Sequence, residues 1–316
     1  MIFKPLFQLR APAGPRASLS VLIFHRVLPE PDPLFPLEMH ARQFDAVCGW
    51  LASWFNVLAL DEAVTRLKVG TLPARAACLT FDDGYADNLQ VALPILQRHG
   101  LCATFFIATG FLDGGRMWND SVIETLRICS LSQLDLTALG LGRHTLGTIE
   151  NRRAAIATLI ADLKYRPLNK RVALTEQISR MAQVALPDDL MMRSSEVKTL
   201  REAGMQIGAH TVSHPILARL TQAQAYQEIA GGKLYLEKLL GERISLFAYP
   251  NGKPGEDYSP DTVAQVRSLG FDAAVCTQWG ASSLSSDFFQ IRRFSPWDSS
   301  KQRFGLRLLA NLYHSQ

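Results

Sequence analysis

Short apolar segments alternate with longer amphipathic segments along most of the chain. The apolar segments are bounded by polar or glycine-containing loops, which is typical of strands buried on both faces of a sheet. The amphipathic segments repeat their apolar positions every three or four residues, as surface helices do. We therefore predict strands over residues 18–25, 56–60, 76–81, 102–109, 205–210, 244–250, 271–277 and 291–294.

This alternation predicts an α/β fold, because parallel strands need helical crossovers between them. About seven strand–helix units favour a (β/α) barrel, distorted or incomplete, over an open sheet. Residues 111–195 break the pattern, since they contain helical segments but no clear strand–helix pair. We predict an N-terminal extension at 1–17, a barrel over 18–316, and a helical insertion at about 111–195.

The composition narrows the functional classes. The chain is 47% hydrophobic, and its formal net charge of +4 is spread without a long run of like charges, so we do not expect a nucleic-acid partner. No stretch reaches the roughly 18 apolar residues of a transmembrane helix. Lys4, Pro5 and Arg10 interrupt the apolar start, so we expect no cleaved signal peptide. We expect the first dozen residues to be frayed, with contact to a membrane surface as the alternative.

The five cysteines are far apart, odd in number and without a CxxC pair. Cys78, Cys102 and Cys276 lie inside apolar runs, so we expect buried thiols and not disulfides. This pattern fits a reducing compartment and predicts a cytoplasmic protein, with peripheral membrane contact as an option. The sequence leaves the oligomeric state open.

Polar residues of catalytic type follow several of the predicted strands. These residues are His25, Asp82, Asp83, His210 and the turn at 250–252. In (β/α) barrels the active site forms at the carboxyl ends of the strands. We therefore expect these positions to meet in one site.

Two short motifs indicate the chemistry of that site. Asp82 and Asp83 are adjacent carboxylates, one of which can bind a metal while the other faces its bound water, and Gly84 permits a sharp turn after them. His210 and His214 are four residues apart, a spacing that would put both imidazoles on one side of a helical turn. Two histidines and one carboxylate leave open coordination positions, as in hydrolytic zinc sites. Taken singly, each motif could instead be a surface turn or a pair of surface histidines.

Three segments together resemble a known family. They are TFDDGY at 80–85, GAHTVSH at 208–214 and FAYPNG at 247–252. They are similar to the leading motifs of the polysaccharide deacetylase family, the NodB-like carbohydrate esterases, and the resemblance covers about 20–110 and 196–295. It implies a distorted (β/α) barrel, one divalent metal ion, usually zinc, and removal of acetyl groups from amino sugars or esters.

The resemblance also implies roles for individual residues. Asp82 matches the family's general base. The metal ligands match Asp83, His210 and His214. Asn251 matches a position whose backbone N–H stabilises the oxyanion, a role that does not require a particular side chain.

The chain departs from the family pattern at two places. Ala248 stands where many members have an arginine that holds the catalytic aspartate, and we name Arg293 as the first replacement and Arg292 as the second. The general acid of most members is a late histidine, whereas the only late histidine here is His314 in a terminal helix.

An early histidine offers a different general acid. SVLIFHRV at 20–27 resembles the N-terminal strand motif of the subgroup that deacetylates poly-N-acetylglucosamine, in which the motif order is circularly permuted and this histidine is the acid. The resemblance therefore implies His25 as the general acid. A structural histidine at the end of a barrel strand is the alternative.

The expected function is metal-dependent hydrolysis of acetyl groups on N-acetylated or O-acetylated sugars of a polysaccharide or glycan precursor, including a lipid-linked one. The alternatives are an amidase of the same fold acting on a non-sugar amide and a catalytically inactive carbohydrate-binding relative. Tryptophans Trp279 and Trp297 are weaker candidates for sugar contacts. The candidate substrate-binding residues are Tyr85, Trp118, Tyr249 and Pro250.

Overall fold

The computed structural model describes residues 3–295 and 298–314, so Trp297 lies outside the described residues. The chain divides into two compact units. The second unit comprises Pro31–Glu38 and Gly114–Met191, and the remainder forms the barrel unit. No helix among the described residues is long and apolar enough to cross a membrane.

The strands are numbered along the whole chain. They are β1 (Leu19–Phe24), β2 (Asn56–Val57), β3 (Ala76–Phe81), β4 (Thr104–Ile107), β5 (Gln133–Asp135), β6 (Arg143–Thr145), β7 (Gln206–Ala209), β8 (Leu246–Ala248), β9 (Ala273–Val275) and β10 (Arg293–Phe294). The α-helices are α1 (Phe3–Arg10), α2 (Ala41–Trp54), α3 (Leu60–Lys68), α4 (Leu93–Arg98), α5 (Trp118–Ile128), α6 (Ile149–Lys164), α7 (Leu168–Met181), α8 (Ser194–Glu202), α9 (Gln222–Leu240), α10 (Pro260–Ser268) and α11 (Lys301–Tyr313).

The barrel unit contains a nearly closed barrel of seven parallel strands, which confirms the predicted fold class. The strand order is β10-β1-β3-β4-β7-β8-β9, and β2 adds to β3. Just before β10, Ile291 forms a parallel bridge to Val275 of β9, which brings the two ends of the sheet together. The pairing of β10 with β1 places the last strand beside the first, so residues far apart in sequence meet at one end of the barrel.

Alternate residues of the strands pack into different apolar clusters. In β3, Ala77, Leu79 and Phe81 belong to one buried cluster, while Ala76 and Cys78 belong to another. Both faces of the strand are therefore buried, which explains why its sequence is continuously apolar.

Helix α1 corrects the expectation of a frayed N-terminus. The rings of Phe3 and Phe7 lie 5.0 and 5.7 Å from the ring of Trp54, and Phe7 is fully buried. Phe3 and Phe7 are four residues apart and so share one face of the helix. The aromatic contacts of that face hold the segment on the barrel unit.

The second unit has its own apolar core, formed mainly by α5, α6 and α7. Its main segment, Gly114–Met191, is a few residues shorter at each end than the predicted insertion at 111–195. The unit also includes Pro31–Glu38, where Asp32 accepts two hydrogen bonds from Arg127. It also contains an antiparallel pair, β5 and β6, that the sequence analysis did not predict. Strands of three residues are too short to show a recognisable alternation of apolar and polar positions.

Candidate active site and metal centre

Asp82 and Asp83 follow the last residue of β3. The Asp82 N–H donates to the carbonyl oxygen of Phe24 and so continues the pairing of β3 with β1. The backbone of Asp83 is left-handed, with φ of 80°, and Gly84 follows with φ of 93°. Two successive residues with positive φ turn the chain sharply, so the two carboxylates leave the strand in different directions. Non-glycine residues with positive φ are uncommon and concentrate at functional sites.

His210 and His214 come together on a bend and not on a helical turn. Thr211 and His214 have positive φ angles of 67° and 49°, which no helix contains. The two imidazole rings nevertheless lie 4.8 Å apart. The predicted convergence of the histidines is therefore present, but the helical geometry expected from the spacing is wrong.

Asp83, His210 and His214 form a compact cluster in which one potential ligand atom from each residue lies within 4.8 Å of the others. Asp83 Oδ1 is 3.4 Å from His210 Nε2 and 3.5 Å from His214 Nε2. His210 Nδ1 lies 2.7 Å from the carbonyl oxygen of Ala248. Because a carbonyl oxygen only accepts, Nδ1 carries the proton, and the lone pair of Nε2 is directed to the cluster.

The electrostatics of the cluster fit a bound cation. Burial alone would raise the pKa of Asp83, but the imidazoles of His214 and His210 outweigh it and hold that pKa below its usual range. Burial lowers the pKa of His214 to about 4, although Asp83 opposes this shift. At neutral pH Asp83 is therefore ionised and His214 is neutral, as metal ligands must be. Burial would lower the pKa of His210, but the carboxylates of Asp82 and Asp83 outweigh it and raise that pKa, so a bound cation would have to displace a proton from His210.

An unsatisfied buried atom also points to a cation. Asp83 Oδ1 is buried and makes no hydrogen bond among the described residues. Buried polar atoms in folded proteins are nearly always satisfied, so an exception calls for an ion or a water molecule. A carboxylate oxygen and imidazole nitrogens within one small cluster suit a divalent ion such as zinc.

Arg293 holds Asp82. Its Nη1 and Nη2 donate to the two oxygens of Asp82, each at 2.7 Å, and its Nε donates to the Cys276 carbonyl oxygen. Both side chains are almost completely buried. Burial alone would raise the pKa of Asp82, but the guanidinium outweighs it and lowers that pKa. Asp82 is therefore ionised and fixed in orientation at neutral pH.

Arg293, the first candidate to replace the missing family arginine, thus contacts Asp82, the residue that the family's arginine holds. The second choice, Arg292, points elsewhere, because its Nη1 donates to the carbonyl oxygen of His314. Ala248, at the family's usual arginine position, contributes only its carbonyl oxygen, which accepts from His210.

His25 follows β1 and is exposed. His25 interacts electrostatically with both carboxylates and contributes to the lowered pKa of Asp82 and of Asp83. Two residues of the loop after β3 hold this segment in place. Asn88 Nδ2 donates to the His25 carbonyl oxygen, and Asp87 Oδ1 accepts from the Val27 N–H.

Asn251 lies in a tight turn after β8. Its φ is 59°, the Gly252 N–H donates back to the Pro250 carbonyl oxygen, and Thr277 Oγ1 donates to the Asn251 carbonyl oxygen. The Asn251 N–H has no hydrogen-bond acceptor among the described residues. A fixed and unpaired N–H is what an oxyanion donor needs.

The comparisons with known proteins decide the family. A sequence profile described as polysaccharide deacetylase matches residues 69–135 and 153–274, more than half of the chain. The chain belongs to the polysaccharide deacetylase family. The provisionally named polysaccharide deacetylase YxkH of Bacillus subtilis (strain 168) is 22% identical over 279 residues, covering 88% of this chain and 71% of that protein.

A second relative is the poly-beta-1,6-N-acetyl-D-glucosamine N-deacetylase of Staphylococcus aureus (strain MSSA476). It is 26% identical over 174 residues, and the match covers 52% of this chain and 58% of that protein. The match thus spans little more than half the length of the staphylococcal enzyme.

Two solved structures share the fold. Streptococcus pyogenes deacetylase PplD, in complex with acetate, aligns with a TM-score of 0.62 at 19% identity, over 94% of this chain and 98% of its own. IcaB from Ammonifex degensii aligns with a TM-score of 0.60 at 18% identity, over 96% and 98%.

The candidate substrate-binding residues of this family member differ in how accessible their side chains are. Tyr249 is fully buried, stacks on Tyr258 with ring centres 3.8 Å apart, and donates to the Phe289 carbonyl oxygen, so its side chain belongs to the core. The expectation that Tyr249 contacts substrate is wrong. Tyr85 is 4% exposed and lies under the Arg26 guanidinium, which leaves little of its ring for a ligand.

Pro250 is also buried, and it contributes to the site through the turn that it begins. Trp118 begins α5 in the second unit, where the Arg171 guanidinium lies 4.7 Å from its ring centre. Trp279 is 43% exposed in the barrel unit, with the His314 ring 4.8 Å away. A role of Trp118 in sugar binding stays a prediction.

The sequence analysis missed Glu228, on α9, which holds the histidine bend of the deacetylase. Its carboxylate accepts hydrogen bonds from the backbone N–H groups of Val212 and Ser213, at 3.0 and 2.8 Å, and from the Ser213 hydroxyl at 2.7 Å. These two residues lie between the two candidate histidine ligands. Glu228 therefore fixes the backbone on which both imidazoles are mounted.

A glycine pair in α9 allows this contact. A Cβ atom on Gly232 would come within 2.8 Å of the Thr211 carbonyl oxygen, and one on Gly231 within 3.0 Å of a Val212 methyl group. Two adjacent glycines inside a helix are unfavourable for helix formation unless something packs closely there. This pair was the sequence signal that could have identified the contact.

We expect Glu228→Ala to weaken metal binding by about 10–100-fold, because residues that orient metal ligands have effects of this size. Gln227→Ala, an exposed neighbour on the same helix, should leave affinity unchanged. Glu228→Gln should recover part of the loss, since its carbonyl oxygen can still accept from the backbone. Zinc affinity measured by competition with a chromophoric chelator checks this, and equal affinities for wild type and Glu228→Ala would contradict it.

Proposed function

We propose that this chain is a metal-dependent hydrolase that removes acetyl groups from N-acetylated or O-acetylated sugars of a polysaccharide or glycan precursor. One observation carries the proposal. The cluster of Asp83, His210 and the partly exposed His214 lies beside a second carboxylate, Asp82, that is fixed by Arg293. A metal-ligand set next to an oriented base is the arrangement that hydrolysis of an unactivated amide requires.

Asp83, His210 and His214 would hold the metal. A divalent ion bound there supplies Lewis-acid chemistry, which activates water and polarises the acetyl carbonyl group. Asp82 accepts a proton from the attacking water, as the new C–O bond forms at the carbonyl carbon. The Asn251 N–H donates to the oxygen that becomes negative, and His25 donates a proton to the sugar nitrogen as the C–N bond breaks. The products are acetate and a free amino sugar.

The sugar substrate is supported by the family and by the name of the staphylococcal relative. An amidase acting on a non-sugar amide is the alternative within the same chemistry. An inactive carbohydrate-binding relative is the alternative from another class, and it is disfavoured because all four residues of the ligand set and the base are present. Acetate release separates all three.

The test measures acetate released from chito-oligomers, from β-1,6-linked N-acetylglucosamine oligomers and from a small non-sugar acetamide. We expect release from at least one sugar, loss of release after a chelator, and recovery with zinc. His210→Ala should lose both the ion and the activity. Release only from the non-sugar amide would favour the amidase, and binding of sugar without release would favour the inactive relative.

The role of His25 as general acid has a selective test. An amine leaves poorly unless it is protonated, whereas an activated ester such as a nitrophenyl acetate has a leaving group that needs no proton. We expect His25→Ala to keep its metal and to slow amide hydrolysis about 10²–10⁴-fold, with a much smaller effect on the ester. His40→Ala, at the far end of the same β1–α2 connection, is the control. Equal losses on both substrates would remove His25 from the acid role.

We also propose a cytoplasmic location. Its support is that all five cysteines are free thiols, four of them buried, as is usual in a reducing compartment. A cytoplasmic enzyme would act on soluble or lipid-linked precursors. Fractionation of cells that express the tagged protein checks this location.

A further inference from the structure

Helices α1 and α11 lie side by side on the barrel unit. The Phe3 ring lies against Gly305, where a Cβ atom would come within 2.6 Å of it. Further along, the Arg10 guanidinium lies 4.0 Å from the centre of the Tyr313 ring. The second contact follows the first in the same direction along both helices, so the two helices run parallel for about two turns.

The exposed side of this helix pair is apolar. Leu9 is 76% exposed, Tyr313 62% and Leu306 61%, and Leu6 is exposed as well. Leu6 and Leu9 are three residues apart and Leu306 and Tyr313 seven apart, so each pair lies on one face of its helix. Single exposed leucines are ordinary, whereas a group on adjacent helices marks an interaction surface.

The same two helices carry the net charge of the protein. They contain five basic residues and no acidic residue. The other 28 basic residues of the chain are outnumbered by its 29 acidic residues, so the pair carries +5 and the rest of the chain −1, which gives the formal net charge of +4. The five basic residues are Lys4, Arg10, Lys301, Arg303 and Arg307.

Some of these cations have partners within the protein. Arg307 pairs with Asp298, which lies just before α11, and Lys301 lies over the Trp54 ring. Lys301 and Arg10 contact rings, and neither forms an ion pair with another described residue. We call the four exposed apolar residues and the five basic residues of α1 and α11 the basic apolar surface.

We propose that the basic apolar surface docks on an anionic lipid bilayer. Charge complementarity carries this assignment, because anionic headgroups attract lysine and arginine while leucine and aromatic side chains enter the boundary with the acyl chains. A second copy of the chain is a poorer partner, since a symmetric contact would bring two sets of five cations together. The proposal does not depend on the proposed function.

Such docking would leave the metal centre accessible. Ala11, directly after α1, accepts a hydrogen bond from the N–H of Arg75, which precedes β3. The end of α1 therefore lies at the amino end of β3, and Asp82 lies at the carboxyl end, about 20 Å away at the usual rise per residue. A bilayer at this surface does not cover the cluster at Asp83.

Vesicle binding tests the proposal with the full chain. We expect cosedimentation with vesicles of phosphatidylcholine mixed with phosphatidylglycerol, about tenfold weaker binding to phosphatidylcholine alone, and weakening as salt increases. The double variant Leu9→Glu and Leu306→Glu should lose binding. It should keep its circular dichroism spectrum and its zinc affinity, because both leucines are exposed.

Leu234→Glu is the matched control. Leu234 is 63% exposed on α9, so it resembles Leu306 in helical setting and exposure but lies outside the basic apolar surface. It should bind the mixed vesicles like wild type. No binding of wild type to mixed vesicles, or equal loss in Leu234→Glu, would overturn the proposal. A dimer in light scattering that Leu306→Glu abolishes would also overturn it and assign the surface to a second copy.

Discussion

Asp82→Asn should lower kcat by about 10²–10⁴-fold and leave the metal content unchanged, because the amide cannot accept the proton that the carboxylate takes from water. Asp83→Asn should instead weaken metal binding, since its Oδ1 faces both imidazoles and has no other hydrogen-bond partner among the described residues. The two variants change adjacent residues by the same chemical substitution, so each controls for the other.

Metal analysis of both purified variants separates the two roles, followed by acetate release with zinc in excess. Asp83→Asn should regain activity as zinc increases, whereas Asp82→Asn should not. If Asp82→Asn loses the metal and Asp83→Asn keeps it, the roles of the two residues are exchanged. If both variants keep metal and full activity, the site is not catalytic.

Arg293→Met should produce the largest loss of stability among single changes at the site. It removes both hydrogen bonds to Asp82 and leaves a buried carboxylate without its cation. Breaking a buried ion pair from one side typically costs about 3–5 kcal/mol in the free energy of unfolding. Urea denaturation measures this change, and the same variant should lose most of its kcat, because Asp82 is no longer fixed in orientation.

Arg292→Met is the control for this prediction. Arg292 is the preceding residue, but its guanidinium donates to the His314 carbonyl oxygen and does not touch Asp82. We expect a change in unfolding free energy within about 0.5 kcal/mol and unchanged kcat. Arg293→Lys should recover part of the stability and less of the activity, since an ammonium group cannot bind both carboxylate oxygens in the guanidinium geometry. Equal effects of Arg293→Met and Arg292→Met would exclude the positioning role.

Local sequence patterns indicate the strands of the barrel and several residues of the candidate site. Most strands of the barrel were predictable because they lie in largely apolar segments, a local property that follows from burial of both faces. The candidate ligands and base could be named because Asp82, Asp83 and His210 directly follow such strands, in motifs that resemble those of the family. His214 joins the cluster as the spacing predicted, although it lies on a bend and not on a helical turn.

Other features required the tertiary structure. Arg293 meets Asp82 across 211 positions of sequence only because β10 pairs with β1 and closes the barrel. The sequence does not distinguish a tyrosine that contacts substrate from one that is buried. Only the stacking of Tyr249 on Tyr258 shows that its side chain belongs to the core.

The sequence by itself thus determined the fold class, the strands and the chemical character of the site, because periodicity and motifs are local. The tertiary structure decided which arginine holds the base, that Glu228 of α9 fixes the histidine bend, and that α1 packs beside α11. These are contacts between segments far apart in the chain, and their partners are selected by shape and charge once the barrel has formed. No local pattern of residues contains that information.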